Sequence, residues 1–173
     1  MSVNSVPEKI VNYNVYNELE RLVGISGEIT LPTLEAMTET ISGAGIAGEY
    51  ESVTPGHFGS MEIEIPFKTI FDKAFSFMKN GISTVVLRAS QQSKDVAAGQ
   101  LLHRLLKITI KGNGKNLNLG KMAVGQPTES ANTLEVLYVK VESEGIVLLE
   151  LDKLNFIFVV NGEDQLALIR SQI

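Results

Sequence analysis

The feature that most constrains this chain is the separation of its charges along the sequence. Residues 22–67 contain seven acidic residues and no lysine or arginine. The whole chain has 20 acidic and 15 basic residues and a formal charge of -5, so the remainder carries 13 acidic against 15 basic residues. All of the net negative charge therefore belongs to this one segment. Its acidic residues are Glu28, Glu35, Glu39, Glu49, Glu51, Glu62 and Glu64.

The same segment contains a glycine pattern that matches the dinucleotide-binding fingerprint G-x-G-x-x-G. Its glycines are Gly43, Gly45 and Gly48. The fingerprint requires a buried strand before it and a helix after it, with the helix N-terminus facing a pyrophosphate. Acidic, strand-like sequence lies on both sides here, and nearby glutamates would repel that anion. We therefore interpret the three glycines as the tip of a hairpin, where positive φ angles favour glycine.

Composition excludes several classes of function. With 44% hydrophobic and 20% charged residues the chain is typical of an ordered globular protein. The absence of cysteine excludes thiolate metal sites and thiol nucleophiles, and two histidines are too few for a multi-histidine site. No apolar run approaches the roughly 18 residues of a membrane span. A pI near 5.1 argues against a grip on nucleic acid through clustered lysine and arginine. We expect no cofactor, no metal and no membrane anchor.

Alternating apolar and polar residues predict strands along most of the chain. The clearest is residues 60–65, where Met61, Ile63 and Ile65 alternate with Glu62 and Glu64. Turns or loops are predicted at 54–56, 90–100 and 112–114. The other predicted strands are residues 10–16, 22–31, 34–41, 46–53, 82–89, 101–111, 116–124, 133–141, 146–151 and 155–160.

One amphipathic helix is predicted at residues 67–80, and a short C-terminal helix at about 164–171. Six apolar residues recur at helical spacing and form the predicted core stripe of the first helix: Phe67, Ile70, Phe71, Ala74, Phe75 and Met78. The whole pattern predicts a mainly β fold, an antiparallel β-sandwich or barrel with a long hairpin and one flanking helix. We expect a single domain over residues 1–173.

The predicted hairpin, residues 34–53, does not fit an ordinary monomer. Glu35 and Glu39 fall on one face of the first strand together with Met37 and Ile41, and the other face consists of small, mostly polar residues. Neither face therefore suits a normal core. A two-stranded ribbon is marginally stable alone in water. We therefore expect the hairpin to lie on another surface, which a neighbouring subunit could supply.

No catalytic constellation emerges from the remaining polar residues. His57, between glycine and phenylalanine, is best explained as a turn residue because no nucleophile or metal cluster accompanies it. His103 falls in an alternating strand pattern. Glu35 and Glu39 could imitate the carboxylate pair of a glycosidase, but nothing in the sequence fixes their separation. We expect no enzymatic activity.

The chain resembles the major tail tube proteins of contractile-tailed phages and of R-type phage-tail-like bacteriocins. The resemblance covers nearly the full length in order, except that residues 91–118 match nothing in it. The first similar motifs are residues 31–41, continuing through 43–49, and Gly56-His57-Phe58-Gly59-Ser60-Met61. Further along the chain they are residues 119–121, 134–136, 138–140, 152–156 and 159–162.

The resemblance implies a β-sandwich or barrel that assembles into hexameric rings, stacked as a tube inside a contractile sheath. Each subunit's hairpin would line the channel, through Glu35, Glu39, Glu49 and Glu51. Subunit contacts would then involve Met37, Ile41, Ile46, Tyr50 and Phe58. Implied partners are further copies of the chain, a sheath protein, a baseplate or tail initiator, a tape-measure protein in the lumen, and DNA that passes without sequence-specific binding.

The implied location is the virion tail or bacteriocin particle, assembled in the cytoplasm of the host bacterium. Two alternatives stay open: a tube component of a related secretion apparatus, and a monomeric small β-barrel that binds a ligand. Residues alone do not distinguish a phage from a bacteriocin or a prophage remnant, and they give neither host, cargo nor tail length.

Overall fold

A computed structural model of the chain describes residues 5–18, 20–25 and 27–173. It is mainly β, with two short helices in the described part, α1 (Asp72–Ser76) and α2 (Ala167–Gln172). The described strands are β1 (Ser5–Asn17), β2 (Glu20–Leu22), β3 (Ala36–Ser42), β4 (Glu49–Phe58), β5 (Glu62–Phe67), β6 (Ser83–Asp95), β7 (Leu101–Asn118), β8 (Ser130–Ser143), β9 (Ile146–Asp152), β10 (Ile157–Val160) and β11 (Glu163–Asp164).

Nine of these strands form one antiparallel sheet, in the order β11-β10-β9-β8-β7-β6-β1-β2, with β5 also paired to β8. Strand β8 is shared between two neighbours on one edge. Its first half pairs with β5, from Ser130 opposite Phe67 to Glu135 opposite Glu62. Its second half pairs with β9. The predicted antiparallel β fold is confirmed.

After β2 the chain crosses from β1 to the free edge of β5. This crossing connects two edges of the large sheet, so the sheet is curled. Isolated bridges join Ile25 to Phe67 and Thr30 to Glu64. The Tyr13 hydroxyl donates a hydrogen bond to the Gly27 carbonyl at 3.1 Å, which attaches the same segment to β1. The result is a barrel-like body. The predicted strand at 22–31 is therefore mostly an irregular crossing held by single bridges, and its Ser26 lies outside the described residues.

The core follows from alternation along β5 and its neighbours. Met61, Ile63, Ile65 and Phe67 are buried, and the intervening glutamates face outward, as the sequence predicts. Their main contacts are other apolar side chains of the central strands. The rest of the buried cluster consists of Val15, Leu22, Ala74, Phe77, Val85, Leu87, Ile108, Ile110, Leu134, Val136, Val139 and Leu151.

The predicted helix at 67–80 is wrong in extent. Phe67 ends β5, because it continues the buried alternation and pairs with Ser130. Only Asp72–Ser76 is helical, and Phe71 before it is extended. The buried Asn132 side chain donates to the Ala74 carbonyl at 2.8 Å and fixes this single turn on the core.

The predicted core stripe is correspondingly only half right. Phe67 and Ala74 are buried, and Phe71 packs edge-on against the Phe67 ring with centroids 5.1 Å apart. Phe77, which the stripe omitted, is fully buried. Ile70, Phe75 and Met78 are 38%, 45% and 40% exposed. The helical spacing predicts one buried face for all six residues. The chain instead ends a strand at Phe67 and forms a single helical turn later, so the later residues do not continue that buried face.

Two predicted breaks between 90 and 114 are strand instead. Strands β6 and β7 pair continuously from Ser83 opposite Gly112 to Lys94 opposite Leu101, so the predicted loop at 90–100 shrinks to a short turn after Asp95. The Asp95 carboxylate caps that turn by accepting from the Ala97 and Ala98 amides. The predicted turn at 112–114 lies within β7, beside register shifts. Side chains at Gly112 and Gly114 would collide with neighbouring backbone, which explains glycine there.

The observed packing predicts different costs for two adjacent phenylalanines. Phe77→Ala should lower the free energy of unfolding by about 3–5 kcal/mol, because it leaves a cavity in the core. Phe75→Ala should cost less than about 1 kcal/mol, since that ring is 45% exposed. Urea denaturation of the unassembled protein measures both. Equal losses, or a larger loss for Phe75→Ala, would contradict the packing described here.

Candidate functional site

The most unusual element is the hairpin of β3 and β4, a two-stranded sheet separate from the body. Its register runs from Thr38 opposite Val53 to Ser42 opposite Glu49, which confirms the predicted pair of strands. The glycine pattern forms the tip, with φ of 89° at Gly45 and 113° at Gly48. A strand follows the tip, so the helix that a dinucleotide fingerprint needs does not form.

Opposed residues of an antiparallel pair point to the same side, so the register defines two faces. We call one the acidic face; it carries Thr38, Thr40, Ser42, Glu49, Glu51 and Val53. We call the other the apolar face; it carries Met37, Glu39, Ile41, Tyr50 and Ser52. Glu49 and Glu51 are therefore neighbours, whereas Glu39 lies on the opposite side.

The four glutamates predicted to line a channel consequently do not share one face. Glu35 precedes β3 and, by alternation, belongs to the side of Glu39. Its carbonyl accepts a 2.9 Å hydrogen bond from the Gly59 amide at the base of the hairpin. None of the four carboxylates forms an ion pair within the part of the chain that the structure describes.

The hairpin exposes large apolar side chains. Met37, Tyr50 and Val53 are 53%, 54% and 56% exposed, Ile46 is also exposed, and Ile41 is half-buried. Among described residues β3 pairs only with β4, so the outer edges of both strands lack a partner strand. Clustered exposed apolar residues and open strand edges mark a surface that contacts another chain.

The root of the hairpin is fixed by the C-terminal segment. The Phe58 ring packs against Phe158 with centroids 5.0 Å apart, and His57 lies 5.6 Å from the Phe156 ring. Gly56 has a φ of 76° and lies against the fully buried Leu166. The predicted turn at 54–56 is an irregularity inside β4, where the register shifts between Ala36 and Thr38. Phe58, predicted at a subunit interface, is thus half-buried against its own chain.

Beside the body lies an open apolar groove of about 460 Å³. It occurs where the segment after β2 only partly covers β1, β6 and β7. An adjoining depression shares Asn12, Tyr13 and Ala89 with it and contains Arg104. Sequence patterns missed this groove because residues 91–118, which form much of β6 and β7, match no motif of the resemblance. The groove is lined by Ile10, Val11, Asn12, Tyr13, Gly27, Glu28, Ile29, Leu31, Leu87, Ala89, Leu106 and Ile108.

Opposite the groove, the other face of β6–β8 carries a network of charges. The Lys107 ammonium lies 3.0 Å from Glu142, and the hydrogen bond between them lowers the pKa of that carboxyl despite some burial. The Tyr138 hydroxyl donates to Glu150 at 2.8 Å. Burial, followed by this carboxylate, raises the pKa of Tyr138. These groups neutralise each other and form a structural network.

Features of other functional classes do not assemble in the described residues. No group of three or more potential metal ligands occurs there, and no described helix is long and apolar enough to cross a membrane. His103 is exposed on β7 opposite Gln92. The described interior of the body is packed with buried side chains such as Phe77, Met61 and Ile110, as in small barrels whose interior is filled by side chains.

A filled barrel-like body with an unpartnered, apolar hairpin is typical of a subunit that contacts other protein chains. The family described as phage tail tube protein FII matches this chain over residues 7–173. The chain is 26% identical to the tail tube protein of Escherichia phage P2 over 178 residues, which cover 98% of each chain.

A solved structure shares the fold. It is described as the sheath/tube terminator of an extracellular contractile injection system, PVC, in the extended state. The TM-score is 0.57 at 11% identity, over 79% of this chain and 97% of that one. The protein belongs to the phage tail tube protein FII family, a family of structural tail tube proteins and not of enzymes. The resemblance found in the sequence is confirmed.

The root contacts make Gly56 sensitive to any side chain. Gly56→Ala would place a methyl group about 2.5 Å from a Leu166 methyl, besides straining a positive φ. Gly162→Ala is the matched control, because its φ of 84° is similar but its surroundings are open. Gly56→Ala should destabilise the protein by about 1–3 kcal/mol more than Gly162→Ala, through overpacking.

Denaturation midpoints and hydrogen exchange of β4 measure the difference between these two variants. Equal effects would show that the contact with Leu166 does not hold the hairpin root.

Proposed function

We propose that this chain forms hexameric rings that stack into the inner tube of a contractile tail. The observation that carries the proposal is the β3–β4 hairpin, whose outer edges and exposed apolar side chains are not covered by any described part of the same chain. A neighbouring copy supplies that cover, and rotational symmetry closes the ring. Stacking of rings along the axis is a heterologous contact, which continues as an open filament.

The acidic face of the hairpin is the surface we assign to the channel. It presents small hydroxyl side chains and Val53 together with Glu49 and Glu51. Carboxylates repel phosphate, so DNA passes without adhering, whereas a basic wall would release counterions and bind it. The register limits this role to two of the four predicted carboxylates. Glu39, and Glu35 by alternation, then face protein rather than the channel.

The other partners follow from a tube inside a contractile tail. The outer wall would contact a sheath protein, one end would start from a baseplate or tail initiator, and the lumen would hold a tape-measure protein before DNA, ions or effectors pass. The similarity to a sheath/tube terminator supports a place for this fold in such particles. Assembly would take place in the host cytoplasm and start from a nucleating platform, because open strand edges are a hazard until another chain covers them.

The direct test of the assembly is electron microscopy of the purified, concentrated protein. We expect hollow rings or tubes of uniform width, with a monomer fraction at low concentration because assembly follows mass action. A protein that stays monomeric in size-exclusion chromatography and microscopy at all accessible concentrations, even with a tail initiator present, would contradict the proposal.

The channel assignment is tested by neutralising its carboxylates. Glu49→Gln with Glu51→Gln should leave rings intact but slow DNA ejection from complete particles, because phosphate repulsion is lost. Glu129→Gln with Glu144→Gln makes the same charge change at exposed positions outside the hairpin and should leave ejection unchanged. Unchanged ejection by the hairpin variant, measured by dye release from labelled DNA, would remove the channel role.

A further inference from the structure

The apolar face of the hairpin contains one charge, Glu39, that forms no ion pair with any described residue of its own chain. Glu39 lies in β3 between Met37 and Ile41, and Tyr50 is opposite Ile41. Any chain that covers these apolar side chains also covers the carboxylate. A carboxylate removed from water without a cationic partner costs several kcal/mol, so the covering surface must supply a cation.

The chain itself contains a surface of matching character. The groove beside β1, β6 and β7 is apolar, and Ile10, Val11 and Leu31 on its wall are 43%, 52% and 46% exposed. Arg104 lies on the same face of the sheet, since Gln91 pairs with both Ile10 and Arg104. An apolar surface with one guanidinium thus complements an apolar surface with one carboxylate.

We propose that the apolar face of one copy's hairpin docks in the groove of the next copy, with Glu39 ion-paired to Arg104. This inference rests on the ring assembly proposed above and names the surface that receives the hairpin. Among the described residues the Arg104 guanidinium forms no ion pair, and it donates a hydrogen bond to a neutral hydroxyl, that of Ser5, at 3.3 Å. Guanidinium and carboxylate can form a bidentate pair, which fixes the register of the contact.

The charges on the two surfaces that would meet are few. The apolar face of the hairpin carries Glu39, because Glu49 and Glu51 lie on its acidic face. The groove's face of β6 and β7 carries Arg104, whereas Lys107 lies on the other face beside Glu142. Glu28 also lines the groove, so the hairpin must approach with Glu39 towards Arg104. Like charges brought together would cost several kcal/mol, which excludes the reversed orientation.

The test exchanges the two charges. Glu39→Arg alone and Arg104→Glu alone should each raise the concentration needed for ring formation about tenfold or more, because each places like charges together. The double variant Glu39→Arg with Arg104→Glu should restore assembly. An equimolar mixture of the two single variants should also form rings, since six positions allow strict alternation of the two chains.

Lys94→Glu is the matched control. Lys94 is exposed on β6, on the face opposite to that of Arg104, so this charge reversal should not disturb assembly or restore it when combined with Glu39→Arg. Circular dichroism and thermal melting establish that each variant folds as the parent does. Light scattering and negative-stain microscopy then measure assembly.

The outcomes separate this inference from the proposed function. If the parent protein forms rings and both single charge-reversal variants form them equally well, the Glu39–Arg104 contact is wrong but the tube assembly stands. Failure of the double variant and of the mixture to recover rings, with all chains folded, would overturn it as well. Absence of rings in the parent protein would overturn the tube assembly itself.

Discussion

Strand β8 is the constraint on which the rest of the structure depends. It pairs with β7 along one edge and with β5 and then β9 along the other. The alternation of buried residues along β8 shifts by one position between Val136 and Val139, near the point where its partner strand changes from β5 to β9. The Val136 amide still donates to the Met61 carbonyl at 2.8 Å, so the ladder bends without losing its hydrogen bonds. One strand thereby holds two groups of strands in a single body.

In this arrangement the central strands are paired along both edges, whereas β3 and β4 form a separate sheet outside the body. Among the described residues, the contacts that hold their hairpin to the body lie at its root, through Gly56, Phe58 and the C-terminal segment. Beyond the root, its two faces differ in chemistry: one is acidic and hydroxyl-rich, the other apolar with a single carboxylate. A rigid body with a projecting, two-faced hairpin suits a subunit whose remaining contacts are made in an assembly. Function then depends on surfaces that are exposed in the single chain.

Much of the fold was predictable because its signals are local. The alternation at Met61, Ile63 and Ile65 identified β5, and the glycines between acidic strands identified the hairpin tip. The helix at 67–80 was overestimated because phenylalanines at helical spacing also suit a strand end followed by one turn. Gly112 and Gly114 imitated a turn, although they permit close approach of neighbouring backbone. That requirement arises from tertiary contacts, which a single sequence does not display.

The candidate site shows a similar division. The exposed glutamates and the need for a second surface followed from composition and alternation, but their distribution over two faces depended on the register of Thr38 with Val53. The groove and Arg104 depended on the register of β6 with β7, a region that matched no recognised motif.

The most direct measurement is a cryo-electron microscopy map of the assembled particle at side-chain resolution. The account predicts that Glu49 and Glu51 line the lumen, while Met37, Ile41 and Tyr50 are buried against a neighbouring copy. A map in which the hairpin folds back on its own body, or in which its acidic face points to the outside of the tube, would contradict the account.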